Sequence, residues 1–158
     1  MKVLYLFNRI KSSIVAEMKN GSESDNSFFG MYRLSHFGID AEFLEMEQFY
    51  SAKTSTFLRR HILNIHYIHL PLFLKFFKYD IIFTSTSFGS LLLKAIFRIR
   101  KPKWVMFDFS IAGMIGEMKT IKQKVFYFMI KNSANGIITI SKKEEERLKN
   151  FFQKLPTI

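Results

Sequence analysis

Residues 79–109 read YDIIFTSTSFGSLLLKAIFRIRKPKWVMFDF, which contains two apolar runs separated by a helical pattern. Residues 79–84 and 103–109 are short and apolar, as buried strands are. The small hydroxyl residues 85–87 end the first run, and the spacing predicts a helix over residues 90–100. Strands that alternate with helices in this way indicate a parallel sheet.

The same alternation extends to both ends of the chain. Further strands are predicted at residues 2–7, 39–46 and 136–140, and further helices at residues 28–37, 54–78, 120–133 and 141–152. Pro71 lies inside the longest helix and predicts a kink or a division there, because proline lacks a backbone donor. Ser141 and Glu144 have capping-box spacing at the start of the last helix. The sequence therefore predicts one α/β domain over residues 1–158, a Rossmann-like parallel sheet of about five strands with helices on both faces.

Composition excludes several kinds of structural feature. The chain has 158 residues, of which 48% are hydrophobic, and it has no cysteine, which excludes disulfides and thiolate metal sites. No window of about 18 residues is apolar throughout, so no membrane-spanning helix is predicted. On these grounds we expect a cytoplasmic protein.

The positive charge is concentrated in the middle of the chain. The formal net charge is +11, and residues 53–103 carry ten bases with Asp80 as their single acid. Such a block attracts phosphate in nucleic acid, in anionic lipid or in a lipid-linked diphosphate. The alternative is a coding bias that supplies lysine without any binding function.

Part of this block has the pattern of a membrane-surface helix. Between residues 56 and 78, apolar residues recur at steps of three and four, and four cations accompany them: Arg59, Arg60, Lys75 and Lys78. An apolar face with basic ends is typical of a helix that lies on an anionic membrane. The alternative is a helix packed between the sheet and a neighbouring domain. The first interpretation predicts peripheral attachment to the inner face of the plasma membrane.

Ligands of parallel α/β sheets bind beyond the carboxyl ends of the strands. That rule selects candidate substrate-binding residues after the first, third and fourth strands: Asn8, Arg9, Ser87 and Ser110. Asp108 is the candidate catalytic residue, because a carboxylate at the end of an apolar strand accepts a hydrogen bond from a sugar hydroxyl or acts as a base. The alternative is that Asp108 caps the segment that follows it.

Several familiar sites are excluded by their missing motifs. Neither the dinucleotide fingerprint nor the P-loop motif occurs, so no nucleotide cofactor is expected. His61, His66 and His69 lack the spacing and the additional ligands of a metal site, so no metal is expected either. The chain also has no G-x-S-x-G motif for a serine nucleophile.

Three segments together resemble a known family. Residues 2–7 open the chain as a strand, and residues 34–41 (LSHFGIDA) join a helix to the second strand through a glycine. Residues 134–144 (ANGIITISKKE) end a strand in serine before a helix. These features are similar to the N-terminal half of a GT-B-fold glycosyltransferase of the family 4 kind, and the resemblance covers nearly the whole chain.

The resemblance implies the acceptor-binding domain of an enzyme of cell-envelope polysaccharide biosynthesis. In that family a donor-binding half follows; it is expected to be missing here, and this chain alone is expected to be inactive. Phe107 and Asp108 match the family's His-Asp pair, with the aspartate kept, and Gly21 and Ser22 are closest to its glycine-rich turn. The implied partners are a nucleotide-sugar, through the separate half, and a glycan or lipid-linked acceptor, without nucleic acid. The alternative function is a non-catalytic basic module that binds nucleic acid or anionic surfaces.

Overall fold

A computed structural model describes residues 1–7, 14–15, 28–45, 52–61, 69–85, 87–107 and 110–152 of the chain. The strands in these residues are β1 Lys2–Leu6, β2 Asp40–Leu44, β3 Ile81–Thr84, β4 Lys103–Phe107 and β5 Gly136–Ile138. The α-helices are α1 Ala52–His61, α2 Phe88–Ile96, α3 Ile111–Ile115, α4 Ile121–Ser133 and α5 Lys142–Phe151. Two 3-10 helices complete the described elements, the first at Met31–Phe37 and the second at Leu70–Lys78.

The strands form one sheet in the order β2-β1-β3-β4-β5, and every neighbouring pair is parallel. Asp80 connects the amino ends of three strands through hydrogen bonds. Its backbone carbonyl accepts a hydrogen bond from the Lys103 amide at 3.0 Å, and its carboxylate accepts one from the Lys2 amide at 2.8 Å. The predicted α/β class and the parallel sheet of five strands are confirmed.

Side chains alternate between the two faces of the sheet, as the pleat requires. One face carries Leu4, Ile82 and Trp104 beneath the second 3-10 helix and helices α2, α3, α4 and α5. The other face carries Val3 and Tyr5 beneath the first 3-10 helix and the residues before it. Fully burying a large apolar side chain contributes about 1.5–3 kcal/mol, so the first face supplies the larger share of the stability.

The helical segments differ in detail from their predictions. Residues 54–78 are divided, as predicted, into α1 and the second 3-10 helix, and residues 62–68 lie outside the described part. Pro71 lies in the first turn of the second 3-10 helix, where its missing N–H is tolerated. The first 3-10 helix ends at Gly38, whose φ of 69° is the left-handed conformation that glycine adopts readily. Helix α3 is an element that the sequence pattern does not predict.

The last two helices begin at capped N-termini. The Ser141 hydroxyl accepts a hydrogen bond from the Glu144 amide at 3.3 Å, so the serine half of the predicted capping box is confirmed. The Glu144 carboxylate accepts a hydrogen bond from Arg147 at 3.2 Å and does not complete the box. Thr120 and Gln123 form a complete capping box at the start of α4. Because an N-cap of this kind contributes about 1 kcal/mol, Ser141 has a structural role.

Candidate functional site

The strand order reverses between β1 and β3, and ligands of such sheets bind where the carboxyl ends of the strands diverge. From β1 the chain passes to β2 on one side, whereas β3, β4 and β5 extend the sheet on the other. Four buried polar residues of the described part of the chain occur near this edge: Glu45 after β2, Thr84 at the end of β3, Ser87 after it, and His69 before the second 3-10 helix. A polar group that is buried without a hydrogen-bond partner destabilises the fold, so the contacts of these residues indicate the role of this edge of the sheet.

His69 and Ser87 form a buried hydrogen-bonded pair. The distance between His69 Nδ1 and Ser87 Oγ is 2.7 Å, and the two residues are 1% and 2% exposed. The backbone carbonyls of Leu44 and Phe7, at the ends of β2 and β1, lie close enough to the imidazole to favour its protonated form. The imidazole therefore lies across the ends of three strands, at the point where the strand order reverses.

Burial keeps the imidazole of His69 neutral. Desolvation lowers the pKa of His69 to about 4, and the two backbone carbonyls, which raise it, offset only part of this effect. A neutral imidazole carries one N–H, so one ring nitrogen is a donor and the other an acceptor. Nε2 has no hydrogen-bond partner of good geometry among the described residues. His69 Nε2 is therefore buried at the carboxyl edge, with the Leu44 and Phe7 carbonyls close to the ring.

Two helix starts bring this pair together. His69 precedes the second 3-10 helix, and its carbonyl accepts a hydrogen bond from the Leu72 amide at 3.1 Å. Ser87 precedes α2, and its carbonyl accepts one from the Leu91 amide at 3.2 Å. The Ser87 amide donates to Thr84 Oγ1 at 3.1 Å, which closes the turn between β3 and α2. Each member of the pair is therefore fixed by the backbone on which it lies.

The pair is uncharged and covered. A serine bonded to a histidine is part of a catalytic triad, but both side chains of this pair are buried, so neither reaches a substrate without a local rearrangement. The imidazole and the hydroxyl carry no charge, so the ligand group that they match best is another hydroxyl. Within the described part of the chain, no three histidine or carboxylate side chains are grouped to hold a metal ion.

The structure locates two of the predicted substrate-binding residues. Ser87 belongs to the buried pair, where it is the partner of His69. Ser110 is exposed, has a left-handed backbone with φ of 76°, and precedes α3 without forming a side-chain cap. The other predicted catalytic and substrate-binding residues lie outside the described residues: Asn8, Arg9, Gly21, Ser22 and Asp108. Ser87 and Ser110 follow strands β3 and β4, as predicted.

The second 3-10 helix has one buried and one exposed side. It packs Leu72 against the sheet, and it exposes Lys75 and Lys78 beside Leu74, which is 81% exposed, and Phe77. A large exposed leucine and phenylalanine next to lysines is the combination found on surfaces that meet membranes. The helix therefore packs on the sheet with one side and exposes apolar and basic side chains on the other, and contact with a membrane or with a neighbouring domain stays a prediction.

Helix α1 carries the other two predicted membrane-surface cations. Arg60 is exposed there, near the exposed ring of Phe57, and Arg59 belongs to the same helix with its side chain outside the described part. Among the described residues, no helix has the length and apolarity needed to cross a bilayer.

Sequence reasoning missed His69 as a site residue. A position in the apolar row of residues 58–76 predicts that His69 is buried, but nothing local pairs it with Ser87, 18 residues later. The sequence feature that could have suggested the pair is that the two residues lie on either side of β3. His69 directly precedes a proline-containing helix start, and Ser87 belongs to the hydroxyl-rich segment after the strand.

A comparison of the chain with protein-family models, with curated proteins and with solved structures finds no match in any of them. The fold class is therefore established by the order and direction of the strands. The case for a function rests on the chemistry of the carboxyl edge and of the exposed helix faces.

Proposed function

We propose that this chain is the acceptor-binding domain of a glycosyltransferase whose nucleotide-sugar donor is held by a separate half. The acceptor is a glycan or a lipid-linked sugar, and the reaction belongs to cell-envelope polysaccharide synthesis at the inner face of the plasma membrane. The observation that carries the proposal is the neutral His69–Ser87 pair at the strand-order reversal of a parallel sheet. The sequence resemblance of residues 2–7, 34–41 and 134–144 points to the same function.

The pair supports a sugar as the ligand because sugars are recognised through hydroxyl groups. Each hydroxyl both donates and accepts, so it matches Nε2 of His69 in either tautomer once the side chains that cover this buried atom move aside. With its pKa lowered to about 4, the imidazole stays neutral over the physiological range and does not favour an anionic ligand. A site built to bond a ligand hydroxyl discriminates strongly against an analogue that lacks it, since the buried group is then left unpaired.

The exposed side of the second 3-10 helix supports a lipid-linked acceptor. Leu74 and Phe77 offer apolar surface, and Lys75 and Lys78 offer attraction to anionic headgroups. The same helix begins directly after His69, so one element links the carboxyl edge to the apolar and basic face. An acceptor anchored in the membrane plane is reached most easily by a domain that docks there.

Replacing Ser87 with alanine is expected to weaken the binding of an acceptor sugar about tenfold. The change removes the hydroxyl that orients His69 and leaves Nδ1 unpaired, which costs roughly 1–3 kcal/mol for a buried polar group. Part of this free energy is lost from the stability of the fold, and part is lost from the affinity for a ligand that needs the oriented imidazole. A ligand-observed NMR titration with a panel of mono- and disaccharides measures the affinity, and urea unfolding measures the stability.

Ser35→Ala is the matched control for this test, because it removes an exposed serine hydroxyl that donates to the Tyr32 carbonyl in the first 3-10 helix. It is expected to bind the same sugars as the wild type does. A wild-type protein that binds none of the sugars would contradict the proposal. So would a Ser87→Ala protein with undiminished affinity.

The second 3-10 helix predicts binding to anionic membranes. At low salt the wild type is expected to sediment with vesicles that contain phosphatidylglycerol and not with vesicles of pure phosphatidylcholine. Removing two lysines from the surface is expected to weaken binding roughly 30-fold, since each contributes about 1 kcal/mol near an anionic leaflet. The variant is Lys75→Gln with Lys78→Gln, and vesicle co-sedimentation at several salt concentrations is the measurement. Binding should fall as salt rises, because exposed charges are screened.

The control for the membrane test is Lys122→Gln with Lys124→Gln, which removes two exposed lysines from the start of α4. It changes the net charge by the same amount and is expected to keep most of the binding. Equal loss in the two double variants would show an attraction by net charge alone and would overturn the assigned face.

A further inference from the structure

A basic cavity lies at the amino edge of the sheet, at the opposite end of the strands from His69. Its volume is about 490 Å³, and it lies between the C-terminal ends of α2 and α4. The described residues that line it include three cations and no acid; the cations are Lys94, Arg98 and Arg100. A cavity of this size holds a small molecule.

Lys94 is buried there without a carboxylate. The residue is 2% exposed, and its Nζ donates to the Ser133 carbonyl at 2.9 Å and to Asn135 Oδ1 at 3.3 Å. Both acceptors are neutral, and none of the ion pairs among the described residues includes Lys94. Burial lowers the pKa of Lys94 to about 8, because the charged ammonium is poorly compensated where it lies.

A structural role explains part of this arrangement. The ammonium bonds a carbonyl in the last turn of α4, where the helix dipole favours a cation. Asn135 also accepts a hydrogen bond from the Trp104 amide at 2.9 Å, which joins the cavity wall to β4. This role does not require Arg98 and Arg100, which are exposed at the same cavity and take part in no ion pair among the described residues.

We propose that the cavity binds a phosphate group, as inorganic phosphate or as a phosphate monoester of a small molecule. Two guanidinium groups offer paired N–H donors that match phosphate oxygens, and Lys94 keeps a third N–H after its two hydrogen bonds. A bound dianion also offsets the desolvation cost of the buried ammonium. The proposal is independent of the proposed function, since the acceptor edge and this cavity lie at opposite ends of the strands.

Isothermal titration calorimetry at constant ionic strength tests this proposal with sodium phosphate, glycerol phosphate and sodium acetate as probes. The wild type is expected to bind both phosphates and not acetate. Arg98→Gln with Arg100→Gln is expected to bind them at least tenfold more weakly. Tighter binding of glycerol phosphate than of phosphate would assign the cavity to a monoester, and the reverse order would assign it to the free ion.

The matched control is again Lys122→Gln with Lys124→Gln, which lowers the net charge by the same amount at the other end of α4. It is expected to bind phosphate as the wild type does. The arginine pair carries the test because both side chains are exposed, whereas Lys94 also supports the fold. Three results would overturn the proposal: no phosphate binding by the wild type, equal binding of acetate, or equal weakening in the two double variants.

Discussion

Replacing Trp104 with alanine is expected to lower the free energy of unfolding by about 3–5 kcal/mol. Trp104 is fully buried in β4, and its ring meets the ring of Phe76 edge-on, with 5.6 Å between the ring centroids. The substitution leaves a cavity between the sheet and the second 3-10 helix, which the neighbouring side chains fill only in part. Urea unfolding followed by circular dichroism measures the loss from the shift of the midpoint.

Two further variants separate the loss of packing at Trp104 from the general effect of replacing an aromatic residue. Trp104→Phe keeps an aromatic ring and removes an indole N–H that has no partner among the described residues, so it is expected to cost much less than alanine. Phe97→Ala removes a ring that is 66% exposed after α2 and is expected to change stability by less than about 0.5 kcal/mol. A Trp104→Ala protein as stable as the Phe97→Ala protein would contradict the packing described for β4.

Hydrophobic patterning predicts the sheet because its strands are covered on both faces. The runs KVLYL in β1 and WVMF in β4 are nearly continuous in apolar residues, as strands of a buried parallel sheet are. Gly38 and Ser141 predict a helix end and a helix start from local backbone chemistry alone. These predictions are confirmed because they depend on neighbours in sequence and not on the order of the strands.

The type and extent of the helical segments are harder to predict. Recurrence at three or four residues indicates a helix, but it does not separate a 3-10 helix from an α-helix. Both 3-10 helices therefore match their predicted positions without matching a predicted type. Helix α3 has five residues, IAGMI, which are too few to establish any period.

The candidate site and the basic cavity depend on contacts between distant parts of the chain. His69 meets Ser87 across 18 residues, and Lys94 meets the Ser133 carbonyl across 39. Such pairs follow from the order of the strands and from where each helix crosses the sheet. An apolar pattern shows that strands and helices alternate, but it does not specify that order, so the pattern alone predicts neither pair.

The fold also divides the positive charge that the sequence shows as one block. Within residues 53–103, Lys75 and Lys78 are exposed on the second 3-10 helix, whereas Lys94 and two arginines line the cavity at the amino edge. Asp80, the single acid of the block, is used at the amino ends of the strands. The positive block of the sequence therefore forms two surfaces of different chemistry, which the lipid and phosphate experiments test separately.

When the pH is lowered from 6.5 to 4, the titration of His69 alone is expected to lower the free energy of unfolding by about 3 kcal/mol, at about 1.4 kcal/mol per pKa unit. Burial lowers the pKa of His69 to about 4 in the folded state, whereas the unfolded chain keeps the ordinary value of 6.5. Below pH 6.5 the unfolded chain therefore binds a proton that the folded chain does not. The free energy of unfolding falls as the pH falls, and this contribution levels off below the folded pKa. Urea midpoints at successive pH values measure the slope.

His69→Asn isolates this contribution, because the amide keeps a polar group beside Ser87 but does not titrate. The variant is expected to be less stable than the wild type at neutral pH and to have a flatter profile in acid. His36→Asn removes an exposed histidine from the first 3-10 helix and is expected to keep the wild-type slope. If His69→Asn lost stability in acid as steeply as the wild type, the slope would come from other groups. That result would also show that burial does not lower the pKa of His69, and the buried His69–Ser87 pair is the observation on which the proposed sugar site rests.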